Sequence, residues 1–231
     1  MVRFSQMVVE HPWIEELDLN PLLASSKGRL ALDARVLLHG ASLHPDQLPK
    51  PAIRPYPSQY VSQFTMRDGA EVTLRPIRPE DEPLMSKFHE TLSERSVYMR
   101  YFSSPSLSSR VAHERLVRIC FVDYDRVMAL VVEHKNRATG QHQILGVGRL
   151  IKLNAKNEAE VAILVSDQYQ KQGLGIELLR RTVQIARDEK LSSVSAEMLR
   201  DNLAVQRMFK NVGFRLRPLA DSSSISAVLD L

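Results

Sequence analysis

The chain has 231 residues, 44% hydrophobic and 25% charged, with a formal net charge of +4. That is enough apolar side chain to build a core, which excludes a wholly disordered chain, and no run approaches the roughly 20 apolar residues a membrane helix needs. The opening MVRFSQMVVEHPW is broken by Ser5, Gln6 and Glu10, so it does not read as a secretory signal. The single cysteine, Cys120, can form no internal disulfide, and the expected location is the cytoplasm. The 31 basic residues are scattered among 27 acids, as in RRTVQIARDEK, with no basic block and no aromatic interleaving. Neither nucleic acid nor a membrane is therefore an expected partner, whereas a modest positive balance suits an anionic cofactor.

Proline marks the main boundary: five of the 12 prolines (Pro45, Pro49, Pro51, Pro55 and Pro57) lie between His44 and Ser58. A fixed φ and a missing N–H favour extended, unpaired chain there. Residues 1–44 are read as a first segment, 45–59 as a linker and 60–231 as the main domain. The first segment reads as a helix over Val2–Glu10, a strand in IEELDLN, a loop, and a second strand in RLALDARV, an αββ stub.

The main domain opens with a hairpin, QFTM and AEVTLRPIR around the turn Arg67-Asp68-Gly69. A helix follows, with Pro79 at its first position and Glu80, Asp81 and Glu82 at its positive end. Its core stripe is Leu84, Phe88 and Leu92. SERSVYMRYF predicts a second helix and SSRVAHERLVRI a third with serine caps. VMALVVEH and ILGVGRLIKL read as strands joined by the loop NRATGQ, and EVAILV as a further strand. GIELLRRTVQIARDE is a long amphipathic helix, SVSAEML a strand, DNLAVQRMFKNV a helix, and two short strands end the chain. The predicted class is mixed α/β (α+β): a mostly antiparallel central sheet flanked by helices, with chemistry at the strand-to-helix turns.

The most informative stretch is VSDQYQKQGLG, residues 165–175. A strand ends at Val165 and a helix opens at two glycines. The first N–H groups of a helix lack internal partners, the macrodipole makes that end positive, and glycine lets an anion approach the backbone. The pattern is a pyrophosphate cradle, without the G-K-[ST] ending of a P-loop and without the dinucleotide fingerprint. A second stretch, NLAVQRMFKNVGF over residues 202–214, begins a helix with a capping amide and ends it on Gly213 and Phe214.

Together, in this order, the two stretches resemble the GNAT superfamily of acyl-CoA-dependent N-acetyltransferases over about residues 64–217. RYFSSP after LSERS, DYDRVMALV and AEVAILVSDQYQKQGLG resemble more narrowly the acetyltransferase domain of bacterial Pat-type protein lysine acetyltransferases. EELDLNPLLA followed by ALDARV is similar to the last strands of the ATP-grasp domain in acyl-CoA synthetases, to which Pat-type domains are fused. There Asn20 and Asp33 match magnesium-holding positions, but the nucleotide-clamping lysines are absent, so a structural stub is expected.

The resemblance implies acetyl-CoA as co-substrate, with no metal. It implies that the main chain of Ile163, Leu164 and Val165 pairs with the pantetheine arm. The N–H groups of Lys171, Gln172, Gly173, Leu174, Gly175 and Ile176 hold the pyrophosphate, and Asn202 bonds a pantetheine amide. The implied reaction is acetylation of a protein lysine, with an acyl-CoA synthetase as the expected acceptor. The lysine must lose a proton before it attacks. Glu160 matches the Pat-type base, Glu197 on the next strand is the rival, and Glu158 shares a strand face with Glu160. Phe209 stands where many members carry a Tyr that protonates the departing thiolate. A small-molecule amine acceptor and a non-catalytic acyl-CoA sensor remain alternatives, and the oligomeric state is open. Cys120 reads as core, Trp13 as packing, and the seven histidines have no ligand spacing.

Overall fold

The computed structural model describes residues 7–8, 10–26, 28–44, 47–48, 54–136, 139–153, 157–219 and 223–231. The chain divides into two compact units between Pro55 and Tyr56. The helix expected over Val2–Glu10 falls mostly, and the linker 45–59 and the loop NRATGQ partly, outside the described residues.

The first unit holds β1 (Ile14–Asp18), β2 (Leu22–Ser25), β3 (Gly28–Ala31) and β4 (Arg35–Leu38). β1 pairs with β4 and β2 with β3, both antiparallel. This corrects the two-strand reading of the stub. RLALDARV is two strands, because Leu32-Asp33-Ala34 turns, the Asp33 carboxylate accepting from its neighbour Ala34 N–H at 2.9 Å. β2 escaped sequence reading because its sequence, LLAS, has no alternation of apolar and polar side chains.

The second unit is built on one sheet: β5 (Ser62–Thr65), β6 (Glu71–Pro76), β7 (Val127–Lys135), β8 (His142–Lys152), β9 (Glu158–Val165), β10 (Ser193–Leu199), β11 (Arg215–Pro218) and β12 (Ser224–Asp230). Their spatial order is β11-β12-β10-β9-β8-β7-β6-β5. Every neighbouring pair is antiparallel except β9 and β10, which a helix between them in the chain connects. A parallel pair requires such a crossover.

Between β6 and β7 lie α1 (Glu82–Glu90), α2 (Glu94–Tyr101), α3 (Leu107–Arg110) and α4 (His113–Cys120). Pro79 opens a 3-10 turn, Pro79–Asp81, which leads into α1. Ser93 caps α2 and Ser106 caps α3, each accepting the N–H three residues on. The single third helix expected over SSRVAHERLVRI is in fact α3 and α4. α3 is closed after one turn as Arg110 turns inward, its guanidinium donating to the carbonyls of Pro105 and His89. α5 (Leu174–Asp188) bridges β9 and β10, and α6 (Leu203–Val212) follows β10. Gly213 (φ 104°) closes α6 in the left-handed conformation expected of it.

Burial splits the side chains of each strand by period two. Leu74, Leu130, Val161 and Val194 face α5 and α6, burying Leu178, Leu179 and Phe209. Ala129, Val131 and Val147 face the other layer, with Phe88, Leu116 and Cys120. Cys120 is fully buried, and burial followed by the charges of Asp81 and Glu82 pushes its thiol up to about 12, so it is an inert core residue.

One buried ion network ties the layers. Arg75 Nη1 and Nη2 donate to the two Asp81 oxygens, each at 2.7 Å, and Arg75 Nε donates to Glu133 Oε2 at 2.7 Å. Asp81 also accepts from the Arg78 N–H at 2.8 Å. Removing one partner of a buried pair strands the other charge, at a cost of about 3–5 kcal/mol. Asp81→Ala is therefore expected to lower unfolding free energy by that range in urea titration, and a loss below about 1 kcal/mol would contradict the role given to this network.

His89 gives stability a pH dependence. Its ring is buried, and neither nitrogen has a hydrogen-bond partner among the described residues. Burial first, then Arg110 and Arg115, pushes its pKa down from 6.5 to about 4. The unfolded imidazole takes up its proton near pH 6.5 while the folded one resists until near pH 4. The contribution is thus complete above the higher pKa and lost as pH falls through that window, on the order of 3 kcal/mol. In urea titrations across the window, His89→Leu should flatten the slope; an unaltered slope would assign the pH dependence elsewhere.

Candidate functional site

β9 and β10 share a ladder only at their start: Glu158 opposite Ser193, Ala159 opposite Val194, Glu160 opposite Ser195. Beyond Glu160 each strand follows its other neighbour. β9 stays paired with β8 from Ala159 to Val165, and β10 with β12 along its whole length. The two strands splay, and a cavity of about 860 Å³ opens between them. Alternate residues of β9 turn their N–H and C=O toward this gap. Ile163, Leu164 and Val165 line it, as the sequence reading requires for a strand edge that takes an extended ligand.

α5 begins at the mouth of the same cavity. Its N-cap is Gly173, at φ 92°, and no side chain caps the 15-residue helix. The N–H groups of its first turn therefore lack intrahelical partners, and the helix end is positive. Gly175 lies in that turn, and a Cβ there would sit 3.1 Å from Met208 Sδ, so a side chain must displace its neighbour. Lys171, Gly173, Gly175 and Ile176 line the cavity, whereas Gln172 and Leu174 do not. Leu174 is buried against the sheet, and Gln172 faces the β5–β6 turn, its Oε1 accepting from Asp68 N–H at 3.2 Å. Arg67 Nη1 donates to the Lys171 carbonyl at 3.1 Å. The hairpin turn thus holds the loop in place.

A second brace comes from Asp167. Its carboxylate accepts from Ser93 N–H at 2.9 Å and from the hydroxyls of Ser93 and Ser96, each at 2.8 Å. Burial opposes ionisation, but these bonds outweigh it and hold the carboxyl below its usual range. They fasten α2 to the loop ahead of α5. Sequence reading did not single out Asp167 or the serines for this task, and no local signal marks a pairing across 74 residues.

Glu160 and Glu197 both line the cavity and both are exposed. Their neighbours Ala159, Val161, Ala196 and Met198 enter the core beneath α5 and α6, which turns both carboxylates to the α2 side. Glu160 stands where the ladder ends. Glu158 precedes that point, in a paired position away from the cavity. Asn202 caps α6, its Oδ1 accepting from Val205 N–H at 3.4 Å, and it also lines the cavity. Its amide NH₂ is left as a donor toward the gap. Phe209 is buried edge-on against Phe214, with ring centroids 4.8 Å apart, and offers no hydroxyl. Among the described residues, no group of three or more His, Cys, Asp or Glu is placed to hold a metal, and no helix is long and apolar enough to cross a membrane.

Residues 71–215 match the family model described as an acetyltransferase (GNAT) domain, and residues 1–38 match one described as an ATP-grasp domain. An acetyltransferase of Pseudomonas aeruginosa is 28% identical over 124 residues, 53% of this chain; the chain spans 63% of that relative's length. The crystal structure of the GNAT domain of S. lividans PAT superposes with a TM-score of 0.67 at 25% identity, over 77% of this chain and all of that one. Mycobacterium smegmatis RimJ in complex with CoA-disulfide superposes at 0.57 and 16% identity, over 74% of this chain and 86% of that one. The split sheet, the uncapped helix end at its mouth and a family match over more than half the sequence lead to one assignment: the chain belongs to the GNAT acetyltransferase family.

Proposed function

We propose that this protein transfers the acetyl group of acetyl-CoA to the amine of a protein lysine, an acyl-CoA synthetase being the expected kind of acceptor, with Glu160 as general base. The observation that carries the reading is the end of the β9–β10 ladder at Glu160, which sets a carboxylate beside an open strand edge. The lysine acceptor is supported by the Pat-like phrases, by the likeness to the S. lividans PAT domain and by the ATP-grasp match at residues 1–38. In this reading residues 1–44 are a structural remnant, 45–59 a linker and 60–231 the catalytic domain, working in the cytoplasm.

The residues present fit acetyl-CoA. The strand edge at Ile163–Val165 offers main-chain partners to the pantetheine amides, and Asn202 offers one NH₂. The uncapped N-terminus of α5, with Arg67 and Lys171 at its mouth, suits a pyrophosphate. The thioester then lies at the Glu160 end. Glu160 takes the proton from the lysine ammonium, directly or through a water. The neutral nitrogen attacks the carbonyl carbon, and an N–H of the strand edge stabilises the oxygen as it gains charge. The C–N bond forms and the C–S bond breaks; the nitrogen, positively charged after attack, gives its second proton to water, and the thiolate takes its proton from water because Phe209 has none to give. A thiol with a pKa near 8.5 leaves acceptably without an acid.

Gly175→Asp puts both a side chain and a like charge into the cradle. Acetyl-CoA affinity by calorimetry should fall at least about tenfold, or 1.4 kcal/mol, and unchanged affinity would remove the cradle from this site.

Glu160→Gln keeps the shape and should leave acetyl-CoA affinity unchanged while turnover drops about 10²–10⁴-fold. The deficit should shrink as pH rises toward about 10, where the acceptor amine is increasingly neutral without help. Glu197→Gln should do markedly less; greater damage from that change would reverse the two roles.

A further inference from the structure

Three guanidinium groups gather on the α2 side of the sheet, at the Glu160 end of the gap. Arg100, on α2, lines the cavity and makes no hydrogen bond or ion pair among the described residues. Its Cζ lies 5.2 Å from the Tyr101 ring centroid, and Arg115, from α4, lies 5.1 Å from that ring. Arg115 Nε is buried without a partner. Arg149 on β8 pairs in register with Ala162, two residues past Glu160, so its side chain shares the face of Glu160. Its Nη1 donates to the Ile119 carbonyl at 3.3 Å. Burial first lowers the pKa of both Arg100 and Arg149, and the repulsion of neighbouring arginines adds to it. The carboxylate that acts on Arg100 is Glu160.

Clustered cations that are partly withdrawn from water and short of anions are costly, and an arriving anion relieves that cost. We infer that Arg100, backed by Arg115 and Arg149, receives a carboxylate that the acceptor carries beside its reactive amine. The inference deepens the function proposed above and rests on its placing of the acceptor at Glu160. The pyrophosphate has its own cradle at the N-terminus of α5, past the other end of β9, so the cluster is not needed for it. A guanidinium fork matches a planar carboxylate with two parallel bonds. A singly charged carboxylate also suits the site because Glu160 repels a dianion more. The geometry has a chemical use: one point of attachment at Arg100 and the gap itself fix where the amine points, and the cationic field favours the amine's neutral form.

The carboxylate can belong to an acidic side chain next to a lysine or to a free amino acid. Two matched pairs separate these sources. One is a blocked lysine peptide with glutamate beside the lysine against its glutamine twin; the other is free lysine against lysinamide. Binding is measured by calorimetry on the full chain, without turnover, for the native protein, Arg100→Gln and Arg100→Lys, with acetyl-CoA affinity as the check on folding. In one pair the carboxylate form should bind at least tenfold tighter to the native protein. That preference should vanish in Arg100→Gln and survive in part in Arg100→Lys, with acetyl-CoA affinity equal in all three. The pair that shows the preference identifies the source. Equal binding within both pairs, no binding of any of the four, or a preference that persists in Arg100→Gln overturns the inference. If the preference appears as expected but no lysine is acetylated, the transfer reading fails while the carboxylate site stands.

Discussion

The site depends on a disagreement between two strands about whom to pair with. β9 keeps to β8 as far as Val165, and β10 keeps to β12 as far as Leu199, so the one parallel pair in the sheet can hold only from Glu158 to Glu160. Each strand stays with its committed neighbour beyond that point, and a cavity opens between them. Main-chain groups that would be satisfied inside a continuous sheet are left facing a cavity. An exposed edge inside the molecule is a cost unless a ligand takes it, and an extended chain rich in amides is the ligand it fits.

The braces around the split bear on the same point. The loop from β9 to α5 is held on one side by the β5–β6 turn, through Arg67 and Asp68, and on the other by Asp167, which ties it to the start of α2. With both sides fixed, the first turn of α5 is presented without its own cap, at a set height above the strand edge. Positioning of this kind is where a fold of this family can contribute most to a group transfer. The buried Arg75–Asp81–Glu133 network lies away from this site and holds the helical layer to the sheet.

Charge divides the cavity into two ends. Lys171 and Arg67 stand near the helix terminus, and Glu160, Glu197 and Arg100 stand where the strands part. The first end suits phosphates. The second combines the carboxylates of Glu160 and Glu197 with the guanidinium of Arg100. Phe209, buried edge-on against Phe214, brings no hydroxyl to this cavity.

The sequence by itself determined what is local. The strands β5 to β10, the cap at Asn202, the left-handed stop at Gly213 and the glycines opening α5 all follow from the conformations and hydrogen bonds of short stretches, and they carry the family assignment. It misread RLALDARV as one strand and SSRVAHERLVRI as one helix, because an aspartate turn and an inward-turned Arg110 break those periods without altering the composition that predicts them. Tertiary structure alone decided that the β9–β10 ladder ends at Glu160, that Asp167 reaches back to Ser93, and that Arg100, Arg115 and Arg149, from three different elements, gather on the Glu160 face of the sheet. Those are matters of register and of contacts between residues far apart in the chain, and a side chain's own neighbours in sequence place no constraint on them.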